Sequence, residues 1–175
     1  MEQPIINRVA NSTLVTLDLE EMRPDGPRIF FDLGPLLYEG LVLKEKEFRA
    51  YVQAHDWSQY THCHVAIDCT ADAIVPTWAF MLVSMSLQPY AKTIVNGDLK
   101  KLEEWLYGQV LARTDWGIYT GARVVVKGCS KVEVPLSAYV EVSHRLRAVA
   151  ASIMYGEPCS TVPLFKRPKS DAGKA

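Results

Sequence analysis

The sequence predicts an α/β fold: a mainly parallel sheet with flanking helices, preceded by an N-terminal antiparallel arm. Two observations carry the prediction. From residue 44 onward, segments of helical period alternate with short apolar runs in the order α-β-α-β-α-β-α, and such alternation favours parallel strands joined by right-handed crossovers. The chain also has 175 residues, 49% of them hydrophobic and 22% charged, which suits one globule with a sizeable core. An α+β arrangement is the outcome if the first arm dominates. One domain is expected over residues 1–165, with a polar, disordered tail over 166–175.

The elements follow in order. "TLVTLDL" (13–19) and "RIFFDL" (28–33) are rich in β-branched and aromatic residues and read as strands. Between them "EEMRPDGP" sets Asp25-Gly26 between two prolines, a turn signal, so the two strands are expected to pair as the arm. "GPLLYEGLVL" shows no single period. "KEKEFRAYVQAH" (44–55) puts Phe48 and Val52 on one helical face. "HVAID" (64–68) is a strand. "PTWAFMLVSMSL" (76–87) is a helix, apolar nearly all round and therefore expected to be buried. "KTIVN" (92–96) is a strand. Residues 98–114 form the clearest amphipathic helix, with Asp98 as N-cap and Leu99, Leu102, Leu106 and Val110 on one stripe. "RVVVK" (123–127) is a strand, residues 135–155 read as one long helix, and "STVPLF" (160–165) is a short extended end. No tandem repeat is evident beyond one pattern, strand–Cys–loop–Val-Pro–helix, which occurs twice.

Charge and composition narrow the function. A net charge of −1 gives no general attraction to nucleic acid or anionic membrane. The most apolar stretch, Ala73–Leu87, is too short to span a bilayer and contains Pro76 and two serines. No early stretch combines a basic region with an apolar one, so a cytoplasmic location is expected. There the four cysteines are reduced, and serve as core residues, metal ligands or reactive thiols. Neither a phosphate-binding glycine loop nor an aromatic–basic stripe is present.

Three of the four cysteines are each followed by Val-Pro, in "DCTADAIVP", "GCSKVEVP" and "PCSTVP". Cys69 and Cys129 both fall just past the carboxyl end of a strand and before a helix, on the edge where open α/β sheets bind ligands. A helix dipole nearby favours a thiolate there. Cys159 follows the long helix, which should carry it toward the opposite edge. Asp72, three residues after Cys69, completes a candidate metal set of Cys69, Asp72, Cys129 and Cys159, and Asp68 is a further candidate. Three thiolates and a carboxylate suit tetrahedral zinc, or a labile iron or iron–sulfur site. Buried cysteine filling a core accounts for the same residues. So does a nucleophilic Cys129 served by a base. Cys63, between His62 and His64, lies at the opposite end of its strand and reads as filler.

The combination "INRVANS", "HDWSQY", "ADAIVPTWA", "LQPYA", "VVKGC", "VPLSAYVE" and "SIMYGEPCSTVPLF" resembles a bacterial family of the Bacteroidetes type, domain of unknown function family 2480, over residues 5–165. Cys69, Cys129 and Cys159 fall inside those motifs and Cys63 does not. The resemblance implies a gene neighbourhood shared with sulfur-mobilising iron–sulfur cluster assembly, hence iron–sulfur assembly proteins as partners. Scaffolds of that pathway hold zinc or a nascent cluster with the chain order Cys-Asp-Cys-Cys, and the order here is similar while the spacings are not. Three functions are therefore expected to compete: a metal-binding accessory protein of iron–sulfur assembly, an enzyme with a cysteine nucleophile for sulfur or acyl transfer, and a non-catalytic interaction module with buried thiols that forms a homodimer through its apolar helices. Whether the chain is an enzyme stays open at this point.

Overall fold

The structure is a computed structural model that describes residues 14–128, 131–157 and 160–168. It is α/β, with mostly parallel sheets. The strands among the described residues are β1 (Leu14–Asp18), β2 (Arg28–Asp32), β3 (His64–Asp68), β4 (Thr93–Asn96), β5 (Arg123–Lys127), β6 (Ser152–Glu157) and β7 (Ser160–Lys166). The helices are α1 (Glu45–Ala54), α2 (Thr77–Leu87), α3 (Leu99–Arg113) and α4 (Leu136–Val149). Two separate sheets form, one in the order β2-β3-β4 and all parallel, the other β1-β5-β6-β7 with only β7 antiparallel.

Three expectations are corrected. The antiparallel arm does not exist: β1 pairs in parallel with β5, and β2 in parallel with β3. The Asp25-Gly26 turn joins strands of different sheets, which a local turn signal cannot reveal. The long helix over 135–155 stops at Val149, and Ala150 is already extended (ψ 152°). The residues beyond it, Ile153, Met154 and Tyr155, pair in register with β5 and form β6. Helix α2 is also not buried all round. Ala79, Val83 and Leu87 are inside, while Met81 and Met85 are 60% and 71% exposed.

The chain divides into two compact units, residues 24–106 and residues 1–23 with 107–175, the boundary falling inside α3. Each has its own core. In the first, Phe31, Leu33, Val65 and Ile67 of the sheet meet Phe48 and Val52 of α1 and Ala79, Val83 and Leu87 of α2. A smaller cluster of Ala66, Leu102 and Leu106 covers the other sheet face. In the second, Leu17, Leu19, Val124 and Val126 meet Tyr107 and Leu111 of α3 and Ala138, Val142 and Leu146 of α4. Burying each of the larger aliphatic side chains and Phe contributes about 1.5–3 kcal/mol.

The two cores are built from one plan. Positions 59 apart carry the same structural duty: Phe48 and Tyr107, Val52 and Leu111, Val83 and Val142, Leu87 and Leu146. The 3₁₀ turns Trp57–Tyr60 and Trp116–Tyr119 are each capped by an aspartate, Asp56 accepting from Ser58 N and Asp115 from Gly117 N. In both, the tryptophan Nε1–H donates back to the preceding helix, Trp57 to Val52 O at 2.8 Å and Trp116 to Leu111 O at 3.1 Å. The backbone bonds match as well: His62 N to Tyr90 O and Gly121 N to Val149 O, both residues at positive φ. Pro76 and Pro135 are both N-caps, each carbonyl accepting the N–H three residues on. There the missing proline N–H costs nothing and φ is preset. The twofold Val-Pro pattern is thus the visible part of an internal duplication. Residue-level similarity survives mainly in Asp-Trp-x-x-Tyr and Val-Pro.

Candidate functional site

The carboxyl edges of the two sheets hold the polar side chains singled out above. In the β2-β3-β4 unit, Asp32 and Asp68 end paired strands in register. Asp32 Oδ1 accepts the N–H groups of Gly34 (2.8 Å) and Thr70 (2.9 Å), and its Oδ2 accepts the Thr70 hydroxyl at 2.6 Å. Burial opposes its charge, but these three donors outweigh it and hold the carboxyl below its ordinary range. Asp68 Oδ1 accepts Cys69 N at 2.9 Å. Beside it opens a polar cleft of about 380 Å³ lined by Asp68, Asn96, Asp98, Lys100, Lys101 and Glu104. Asp98 caps α3 as expected, accepting Lys101 N at 2.8 Å.

Cys69 sits half-buried at this edge, its thiol donating to the Ala71 carbonyl at 3.7 Å. Asp72 is exposed. Cys63 is 5% exposed and packs in the core, as its filler reading requires. Cys129 and Cys159, the other two expected ligands, lie outside the described residues. Among the described residues no three His, Cys, Asp or Glu side chains group as metal ligands would.

The edge of the β1-β5-β6-β7 unit is electrostatically different. Where the first unit has Asp68, this one has Lys127, and its Nζ meets Asp18 Oδ2 at 2.9 Å. That hydrogen bond and the charges of Asp18 and Glu157 push the Lys127 ammonium up. Asp18 keeps the duty of Asp32, accepting the N–H two residues on, from Glu20 at 3.0 Å. Because β6 replaces the end of the expected helix and lies parallel beside β5, with Val126 opposite Tyr155, Gly128 and Glu157 leave the sheet at the same edge. Gly128 immediately precedes Cys129, and Cys159 lies in sequence between Glu157 and Ser160, which pair with each other in the β6–β7 ladder. The expectation that the residues leading to Cys159 arrive at the opposite edge is overturned for that reason.

The duplication also changes the bookkeeping of the cysteines. Fifty-nine positions on from Cys69 is Gly128, and the partner of Cys129 is Thr70. The two thiols are one residue out of step in the repeat. The third Val-Pro has a different cause. Pro163 lies in β7, an edge strand, where a missing N–H breaks no ladder.

Sequence reasoning did not single out Asp32, Thr70 or Lys127, although the Asp at the end of each first strand was a readable signal. His64 was set aside with Cys63, yet it is 5% exposed and its Nε2 lies 3.1 Å from the Asp25 carbonyl. Burial is the main reason its pKa falls below the ordinary value, with Arg28 and Lys92 adding to the effect against Asp25 O and Glu103. Trp105 and Tyr155 are 43% and 40% exposed. No helix among the described residues is long and apolar enough to cross a membrane.

No curated protein and no solved structure matches the chain. One family does, over residues 3–167 and so across nearly the whole sequence: the chain belongs to the family described as "Protein of unknown function (DUF2480)".

Proposed function

We propose that the protein is a metal-binding accessory protein whose thiolates gather at a sheet's carboxyl edge. The supporting observation is the parallel pairing of β5 with β6, which brings out at one edge Gly128, just before Cys129, and the Glu157–Ser160 pair that brackets Cys159 in sequence. Two thiolates from adjacent strand ends are a natural start for a zinc or labile iron site, which needs soft donors about 2.3 Å from the ion. Cys69 and Asp72 are the further candidates that the sequence adds. The same thiols are suited to exchange with iron–sulfur assembly proteins, the physiological role we attach to this reading.

The test is metal analysis of protein purified without chelators, alongside Cys129→Ser, Cys159→Ser and Cys69→Ser. The reading expects near-stoichiometric zinc or iron in the parent chain, lost in the first two variants. Retention in Cys69→Ser assigns that thiol to its Ala71 contact instead. A parent chain that carries no metal and takes up none on zinc titration overturns the proposal.

A further inference from the structure

The duplication supplies an internal template for a surface that one unit covers and the other leaves open. Strand β6 of one unit corresponds to β4 of the other, Ser152 to Thr93 and Ile153 to Ile94. The outer side of β6 is covered by antiparallel β7. The outer side of β4 is a sheet edge with no strand on it among the described residues. Half of its backbone N–H and C=O groups therefore face away from β3.

Natural edges are guarded by lysine, proline or a bulge. Strand β7, the edge on the covered side, has all three: Pro163, Lys166 and an irregularity where it passes Ile153–Met154. Strand β4, Thr-Ile-Val-Asn, has none. Next to it runs a groove of about 370 Å³ lined by Ile94, Ile67, Phe80, Met81, Ser84 and Met85. The repeat gives the contrast here too. Met85 corresponds to His144 of α4, and Leu82 and Ser86 correspond to Glu141 and Arg145, which form an exposed ion pair at 2.7 Å. Met81 corresponds to Val140, which is apolar and exposed as well, so the contrast lies one turn further on, where α4 carries His144 and the Glu141–Arg145 pair and α2 carries Met85, Leu82 and Ser86.

We infer that β4 and the Met81–Met85 face of α2 form a self-association surface, occupied by the same surface of a second copy. The strand that covers the equivalent edge is antiparallel, and a two-fold axis at β4 generates an antiparallel pair. With Val95 on the axis, Lys92 of one copy faces Asp98 of the other, so opposite charges flank an apolar centre. Lys92 Nζ is exposed, held only to the Asp25 carbonyl at 3.2 Å. The two α2 helices then lie on one face of a continuous sheet, and each places its methionines in the other's groove. A four-residue strand pair alone falls short of the ~1,000 Å² that a stable interface needs; the methionine faces supply the remainder.

The experiment is analytical ultracentrifugation of the full chain, with the double variant Met81→Glu/Met85→Glu and the control His144→Glu at the equivalent position. Both methionines are well exposed, so the fold is expected to be retained, checked by circular dichroism. A dimer is expected for the parent and for His144→Glu, weakened at least ~10-fold in the double variant, a change of about 1.4 kcal/mol. Amide exchange in residues 93–96 should slow on dimerisation. A parent chain that is monomeric at about 100 µM overturns the inference and leaves the edge to an extended segment of another protein. So does a dimer that the double variant leaves equally tight.

Discussion

Two glycines test both the duplication and the strand that replaced the expected helix end. Gly97 and Gly156 stand 59 residues apart, each just beyond the carboxyl-terminal half of its strand's pairing with the neighbour, at φ 135° and 118°. An L side chain at such φ costs about 1–3 kcal/mol in strain. What else an added methyl meets differs. At Gly156 a Cβ comes 2.6 Å from the Ser160 carbonyl oxygen, which is backbone of β7 and cannot swing away. Relieving that contact requires the β6–β7 pair to shift, a further cost of about 1–3 kcal/mol by analogy with overpacking. At Gly97 the close atoms belong to the Lys101 side chain, at 2.5 Å and beyond, and a lysine can rotate. Gly156→Ala is therefore expected to cost roughly 3–5 kcal/mol and Gly97→Ala roughly 1–3. In a chain of this size the larger figure lowers Tm by about 10 °C. Urea unfolding followed by circular dichroism measures both. A Gly156→Ala protein within about 0.5 kcal/mol of the parent refutes the strand geometry, since a glycine merely following a helix end would tolerate the change better.

The buried His64 predicts a pH effect. Its folded pKa lies below the unfolded value of about 6.5, so the unfolded chain takes up the proton first. Stability is full above that pH and falls as pH drops through it, levelling off below the folded pKa. Urea midpoints measured between about pH 5 and 8 should show this slope, and His64→Gln should flatten it; an unchanged slope assigns the effect to other groups. Replacing Trp57 with Phe removes the Nε1–H bond to the Val52 carbonyl at the helix end, at about 1–3 kcal/mol; replacing Trp116 removes the equivalent bond, but the Leu111 carbonyl still accepts Thr114 N at 3.4 Å. The larger loss is expected at Trp57, which is 9% exposed with the shorter bond, and thermal unfolding of the two variants ranks them.

Much of the fold was legible because strands and helices write different periods. The boundaries of β1 to β5, the Phe48–Val52 face of α1 and the Asp98 cap all follow from local pattern. Two features escaped for opposite reasons. The segment Ala150–Tyr155 contains alanines and large apolar residues that continue a helical count, and only pairing with β5 decides for a strand. The pairing of β1 with β5 joins residues more than a hundred positions apart, which no turn signal reports. At the site, the cysteines were visible as residues, but their spacing misled. The shared Val-Pro invites alignment on the thiols, whereas the cores align with Cys69 opposite Gly128. The Met81–Met85 face looked like core because hydropathy records what a side chain prefers and not what covers it.

The duplication separates what the fold needs from what the function uses. Positions that serve the core kept their character in both copies: the aspartate-capped tryptophan turn, the Val-Pro helix start, the valines and leucines of α2 and α4. The edges diverged. Asp68 stands where the other unit has Lys127, so one edge neutralises its aspartate with an ammonium while the other ties it to Thr70 and Gly34. The outer strand β6 has a partner strand and β4 has none among the described residues. A packing constraint acts equally on two copies of one plan and so predicts similarity at equivalent positions. Divergence at the carboxyl edges and the β4–α2 face therefore calls for a cause outside packing, and ligand or partner contact is the cause that acts at surfaces.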